Sequence, residues 1–441
     1  MKATFYTLRG MLLGILIGAL IPLGVAAMAD DQEGSPSESL PLDQLRVFAA
    51  IFSIIKSEYV EEVDDNELLD HAIRGMLAGL DPHSAYLAKR EYQQLREGTS
   101  GEFGGLGIEV GMEDGFVKVI APIDDTPAQR AGVEAGDLIV RLDDRSVKGM
   151  TLNEAVEIMR GKPGTEIVLT IMREGVDKPL TISIVREMIK VVSVRGEVLE
   201  EGYLYLRISH FQMHTMEDMH RLIERLHGEV EGEVRGMVLD LRNNPGGVLS
   251  AAIAVSDAFL NGGLVVYTQG RDEATRQDFR AGPDDLLTGA PLVVLVNEGS
   301  ASASEIVAGA LQDRRRALIM GQATFGKGSV QTVVPVAAGD AGIKLPTALY
   351  YPPSGRSIQA EGIQPDIVLD RVRLTASEEG RSRAIKERDL CGHLGNQRGS
   401  EENLPETQDK EEEQKPPLVE RDYELYEALN LLKGLYILGR R

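Results

Sequence analysis

Apolar residues along this chain follow two rhythms, and each predicts a different element. Over residues 42–80 the spacing is helical. Leu45, Phe48, Phe52, Ile55 and Tyr59 share one face, and after the acidic turn Asp64-Asp65-Asn66 so do Leu69, Ile73, Met76 and Leu80. Farther along, short unbroken apolar runs appear at 291–296 and 317–320, and 234–239 also reads as a buried strand. Runs of that length without polar alternation mark strands covered on both faces. Residues 202–208 alternate instead, as a strand does with one covered face, and 216–226 form an amphipathic helix. Residues 329–336 and 343–351 read as a strand pair. The pattern predicts an α/β (α+β) protein whose helical N-terminal region precedes a core with a mixed sheet.

One break in the rhythm has the makings of chemistry. The run 291–296 stops at the turn Asn297-Glu298-Gly299, and a helical stretch begins after Ser300-Ala301-Ser302-Ala303-Ser304-Glu305. A serine is therefore held where a strand breaks into a helix. Ser302 and Glu305 have the Ser-x-x-Glu spacing of a capping box, which starts a helix and does nothing more. A nucleophile needs a base, a group that orients the base, and backbone donors for an oxyanion. Lys327 and Gln331, after the next strand, are available for the first two, and the helix N-terminus offers amides. A lysine ionises near ~10.4 in water, so burial must lower that value toward ~7 before it can act as a base. A neutral amide such as Gln331 holds the amine without adding charge.

Ser300 to Glu305, Phe325-Gly326-Lys327-Gly328 with Gln331, and Asp240-Leu241-Arg242-Asn243-Asn244-Pro245-Gly246-Gly247 together resemble the carboxyl-terminal processing (tail-specific) proteases. These are periplasmic or lumenal serine endopeptidases with a Ser-Lys dyad, and the resemblance spans residues 45–369. It implies Ser302 as nucleophile, Lys327 as base and Gln331 as its assistant. It also implies an oxyanion hole from the amide of Ala303 and that of Gly246 or Gly247, a choice the sequence leaves open. Arg242 reads as a buttress of that loop.

Residues 102–186 look like a PDZ domain: Gly104-Gly105-Leu106-Gly107-Ile108 opens it, and Pro127-Ala128, Ala131-Gly132 and Gly136-Asp137 follow in register. Such a domain adds an extended peptide to an edge strand and captures a terminal carboxylate on loop amides, here at Gly105, Leu106, Gly107 and Ile108. The glycines alone could suggest phosphate binding, but no Gly-Lys-Ser/Thr follows them. The family implies substrates with flexible C-termini, a lipoprotein adaptor and a homo-oligomer. A non-catalytic PDZ scaffold that binds tails is the alternative, and a Ser-His hydrolase using His83 or His210 is a second rival.

Composition narrows the rest. The net charge of −22 argues against nucleic acid and anionic lipid as partners. Cys391 is the only cysteine, so neither an internal disulfide nor a cysteine-rich metal site is expected. His214 and His220 are six residues apart, which puts them on different helix faces and argues against a metal; no cofactor is expected. Lys2, Arg9, an apolar run and Ala27-Met28-Ala29 have the form of a cleaved signal peptide over 1–29 and so of export, and the resemblance implies a periplasmic location. The domain plan is a lead-in at 30–41, helices at 42–97, PDZ at 98–187, protease core at 188–370, charged linker at 371–419 and a C-terminal helix at 420–441. On that last helix Leu425, Leu429, Leu432 and Tyr436 form an apolar stripe, with self-association and packing back on the core as the two uses open to it.

Overall fold

The computed structural model describes residues 40–336, 340–370 and 417–439. The expected leader, most of the lead-in, the linker over 371–416 and Cys391 lie outside the described residues. The chain divides into two units, Met1–Met76 and Leu77–Arg441.

In the first unit the helix Leu42–Glu58 is followed by the start of the helix Asp65–Ala78. Asp64 begins the second helix, its Oδ1 accepting the N–H of Asn66 at 2.8 Å. The stripe expected to face inward is largely uncovered: Leu45, Phe48, Tyr59, Leu69 and Met76 are all exposed. Helical spacing identifies a face that can be buried, not what buries it.

In the second unit, the segment read as a PDZ domain is an antiparallel sheet. Its strands run in the order Ile108–Glu113, Phe116–Pro122, Leu138–Leu142, Glu166–Met172 and Leu180–Val185. Val117, Val119, Ile139, Ile167, Leu169 and Ile171 are its core, closed by Ala155 and Met159 of the helix Leu152–Met159. Thr151 caps that helix with its hydroxyl.

Another sheet, of six strands, carries the site. Val194–Glu200 pairs antiparallel with Tyr203–Ile208. Gly236–Asp240, Leu292–Val296, Leu318–Gly321 and Ile367–Val368 then follow in parallel. Successive residues face opposite sides. Leu204, Leu206, Met237, Leu239, Val294 and Val296 pack under the helices Thr215–Glu229, Leu249–Asp257 and Ala303–Asp313. Tyr203, Val238, Val293, Leu295 and Met320 face the other way, against Leu425, Ala428, Leu429 and Leu432 of the helix Tyr423–Gly439. Both faces are thus dry, which is why these strands read as unbroken apolar runs. Leu425, Leu429 and Leu432 of the C-terminal stripe are covered within the chain, the packing back on the core that the sequence allowed beside self-association. The opposite sheet face would otherwise stand open to water. Tyr436 completes the seam with an edge contact to Tyr203 at 6.5 Å between ring centres.

A second sheet of five strands includes the antiparallel pair Ser329–Val336 and Ala341–Tyr351. Ser329, Gln331, Lys344 and Tyr350 of that pair line one cleft with Gly247 and Ser302.

Candidate active site

Two loops leave neighbouring parallel strands at their carboxyl ends, the usual place for a site in such a sheet. One follows Asp240 and the other follows Val296, and side chains stitch them together. Asn297 Oδ1 accepts the Asn243 N–H at 2.8 Å, and Ser300 Oγ donates to the Leu241 carbonyl at 2.8 Å. The Asn244 carbonyl accepts the Ala301 N–H at 3.0 Å and the Ser304 hydroxyl at 2.9 Å. Two turns distant in sequence therefore behave as one rigid piece.

Ser302 sits at the crest of this piece with φ 57° and ψ −113°. A non-glycine residue in that region costs of the order of 1–3 kcal/mol, and the surrounding bonds hold it there. Its hydroxyl makes no capping bond; the Glu305 N–H goes to the Ser302 carbonyl at 2.9 Å. Behind it, the N–H groups of Ala303 and Gly247 make no hydrogen bond among the described residues. The Gly246 N–H is occupied by Asn244 Oδ1 at 2.9 Å. The backbones approach closely: a Cβ on Gly246 would lie 2.8 Å from Ser302 Cβ, and one on Gly247 2.0 Å from the Phe211 carbonyl oxygen. Only glycine fits at either position.

Glu305 does more than start a helix. It is fully buried, and its two oxygens accept four hydrogen bonds. Oε1 takes the Thr324 hydroxyl at 2.6 Å and the Gly326 N–H at 2.7 Å. Oε2 takes the Ser302 N–H at 2.7 Å and the Lys327 N–H at 2.9 Å. A buried carboxylate satisfied in this way is a fixed joint between the two loops that carry Ser302 and Lys327. The Ser-x-x-Glu spacing signals the bond from the Ser302 N–H; nothing in the sequence signals the other three.

Ser302, Ala303, Gly247, Lys327 and Gln331 all line one cleft of about 450 Å³. Burial lowers the pKa of Lys327, the charge of Lys344 lowers it further, and Glu305 opposes both. The amine makes no hydrogen bond among the described residues, and none joins it to Ser302 Oγ. Tyr350 lines the same cleft as Ser302. Tyr350 donates to the Lys327 carbonyl, and burial pushes its phenol well up, so it stays a neutral donor. Gln331 Nε2 is buried and has no acceptor. A neutral lysine amine offers the lone pair that such a donor lacks.

Sequence reasoning missed Tyr350 and Lys344, which lie on the strand Ala341–Tyr351 and also line the cleft. Their signal was strand parity alone. His210 lines the same cleft, and burial lowers its pKa. His83 is placed elsewhere, its backbone N–H bonded to Asp81 at 2.7 Å.

In the PDZ segment Leu106 is buried, while the N–H groups of Leu106 and Gly107 make no hydrogen bond among the described residues. Gly105 ends the strand Glu102–Gly105 and Ile108 begins the strand Ile108–Glu113. Arg242 is a buttress, as its position suggested, though not through the loop alone. It pairs with Asp240 at 2.8 Å, Asp422 at 2.7 Å and Glu424 at 2.7 Å.

Comparison with known proteins follows the same division. Residues 202–369 match the model of peptidase family S41, 104–184 match that of the PDZ domain, and 24–91 match the activating protease CtpB N-terminal domain. The carboxy-terminal-processing protease of Bartonella bacilliformis is 48% identical over 89% of this chain and 88% of its own. The carboxy-terminal processing protease CtpA of Bacillus subtilis is 36% identical over 71% of this chain and 66% of its own. Among solved structures, the photosystem II D1 C-terminal processing protease is 32% identical, covering 73% of this chain and 86% of that one with a TM-score of 0.43.

Proposed function

The chain belongs to the carboxy-terminal-processing proteases, a family of serine-type peptidases, and from that premise we propose a Ser302–Lys327 endopeptidase acting at unstructured C-terminal tails of exported proteins. Ser302 Oγ attacks the scissile carbonyl and gives its proton to the neutral amine of Lys327. The amides of Gly247 and Ala303 receive the oxyanion; Gly246 is the weaker candidate because its amide is already bonded. Lys327 then protonates the leaving amine, and an acyl group remains on Ser302. Water, with Lys327 again as base, hydrolyses that ester. Gln331 donates to the lysine lone pair and so orients the amine.

The observation that carries this reading is the Glu305 joint, which fixes the nucleophile and the base to one carboxylate in a half-buried cleft. Incubating the purified chain with an exported protein that ends in an unstructured tail tests it. The intact chain should shorten the tail, whereas Ser302→Ala and Lys327→Ala should not. A scaffold that only binds tails would be indifferent to Ser302→Ala.

The PDZ segment would hold the substrate tail on the amides of Leu106 and Gly107, beside Gly105 and Ile108, and gate the dyad. Deleting residues 102–186 should then change both tail preference and rate. The proposal places the mature protein in the periplasm after removal of 1–29, as a homo-oligomer, with a lipoprotein adaptor as a further partner. Release of a shortened form on export and sedimentation of the purified protein test the first two.

A further inference from the structure

The chain has 69 acidic and 47 basic residues, yet no aspartate or glutamate among the described residues lines the catalytic cleft. Two lysines do. Lys327 has the role given above, which leaves Lys344 without one. It stands in the interior of the strand Ala341–Tyr351, opposite Val333 on one side and Ala85 on the other. Val333 lines the cleft as well, so the Lys344 side chain shares a face with the proposed machinery. It is half-buried, and it makes no ion pair or hydrogen bond among the described residues. Glu305 does not neutralise it, since both carboxylate oxygens are taken by four other donors.

A half-buried ammonium with no carboxylate beside it has donors to offer a ligand that brings one. We propose that Lys344 is a specificity-determining residue, a receptor for a substrate carboxylate lying within the cleft when the scissile bond is at Ser302. The carboxylate comes from an Asp or Glu side chain near that bond or from the substrate's own C-terminus. Lys344 gives a charged anchor to a cleft whose other side walls, Val248, Leu249, Ile306 and Val330, are apolar. The inference rests on the peptidase reading of the same cleft.

The test uses the full chain and two families of quenched-fluorescence peptides. In the first, a single Glu or Gln is walked through the positions on both sides of the scissile bond, with amidated ends. In the second, the same uncharged sequence ends as a free acid or an amide. In one family the acid member should be cleaved with a kcat/KM about tenfold above its neutral twin, the factor of one charge-assisted hydrogen bond. Lys344→Met should abolish that ratio while still cleaving the neutral peptides, and Lys344→Glu should invert it. Taking the ratio within one protein at one pH cancels any effect of Lys344 on Lys327. The same pairs, measured for binding to Ser302→Ala by anisotropy, give a readout that needs no turnover. Equal handling of acid and neutral twins in both families, or a preference that survives Lys344→Met, overturns the inference. Cleavage of the neutral peptides by the intact chain, lost in Ser302→Ala, bears on the peptidase reading separately.

Discussion

The Lys327 N–H and the Ser302 N–H are bound by the same oxygen, Glu305 Oε2, at 2.9 and 2.7 Å. The two residues are 25 positions apart in the chain, and this one atom sets the separation of their backbones. A neutral isostere tests the consequence. Glu305→Gln presents an NH₂ to one pair of N–H or O–H donors, leaving them unsatisfied at about 1–3 kcal/mol each. Thermal unfolding should begin several degrees lower. Because Glu305 raises the pKa of Lys327, loss of its charge should also move the acid limb of kcat/KM to lower pH. A purely structural defect would lower the rate without moving the limb in that direction.

The pH profile of the intact chain follows from the same balance. The amine is active only when neutral, so kcat/KM should rise with pH through the Lys327 pKa. Burial and the charge of Lys344 place that limb below the usual lysine range. Lys344→Met removes a like charge and should shift the limb to higher pH. Initial rates on an uncharged peptide across pH, for both proteins, check the sign.

Histidine offers a separate discrimination. His210 lines the cleft and is held toward its neutral form by burial. If it were the base, His210→Ala would remove activity and Lys327→Ala would spare it. The opposite is expected. Lys327→Ala should cost a factor of at least about 10³ in kcat, and His210→Ala should leave the acid limb in place. Circular dichroism of both variants shows whether the fold is retained.

The C-terminal helix should matter to rate as well as to stability. Arg242, at the root of the loop that carries Gly247, is held by Asp422 and Glu424 just ahead of and within that helix. Leu432→Ala empties a fully buried position on it and should cost about 2–5 kcal/mol in unfolding free energy. Removing residues 417–441 should also lower kcat, because Arg242 loses both distant partners while keeping only Asp240. Denaturant titration and peptide kinetics on the two proteins report these effects.

The sequence announced those features that a local signal can carry. Runs such as 291–296 were legible because parallel strands covered on both faces need no polar residue. The turn before Ser302 was legible because asparagine and glycine mark it. Glu305 appeared only as a cap, since its bonds to Thr324, Gly326 and Lys327 depend on how two loops meet in space. The clasp between Arg242 and Asp422 spans 180 positions and has no periodicity to reveal it. The same holds for the C-terminal stripe: helical spacing showed that it would be buried, and only the fold showed against what. On the first helix an equally regular stripe remains exposed, so spacing does not identify the partner of a face.

The account depends on an uncharged Lys327 amine drawing the proton from Ser302. Intact-mass analysis of the chain quenched during turnover of a peptide ester measures this most directly, across pH, beside Lys327→Ala. An adduct on Ser302 whose rate of formation follows one ionisation below the usual lysine range, and which is absent in Lys327→Ala, is the expected result. An adduct that forms at the same rate without Lys327, or on another residue, would contradict it.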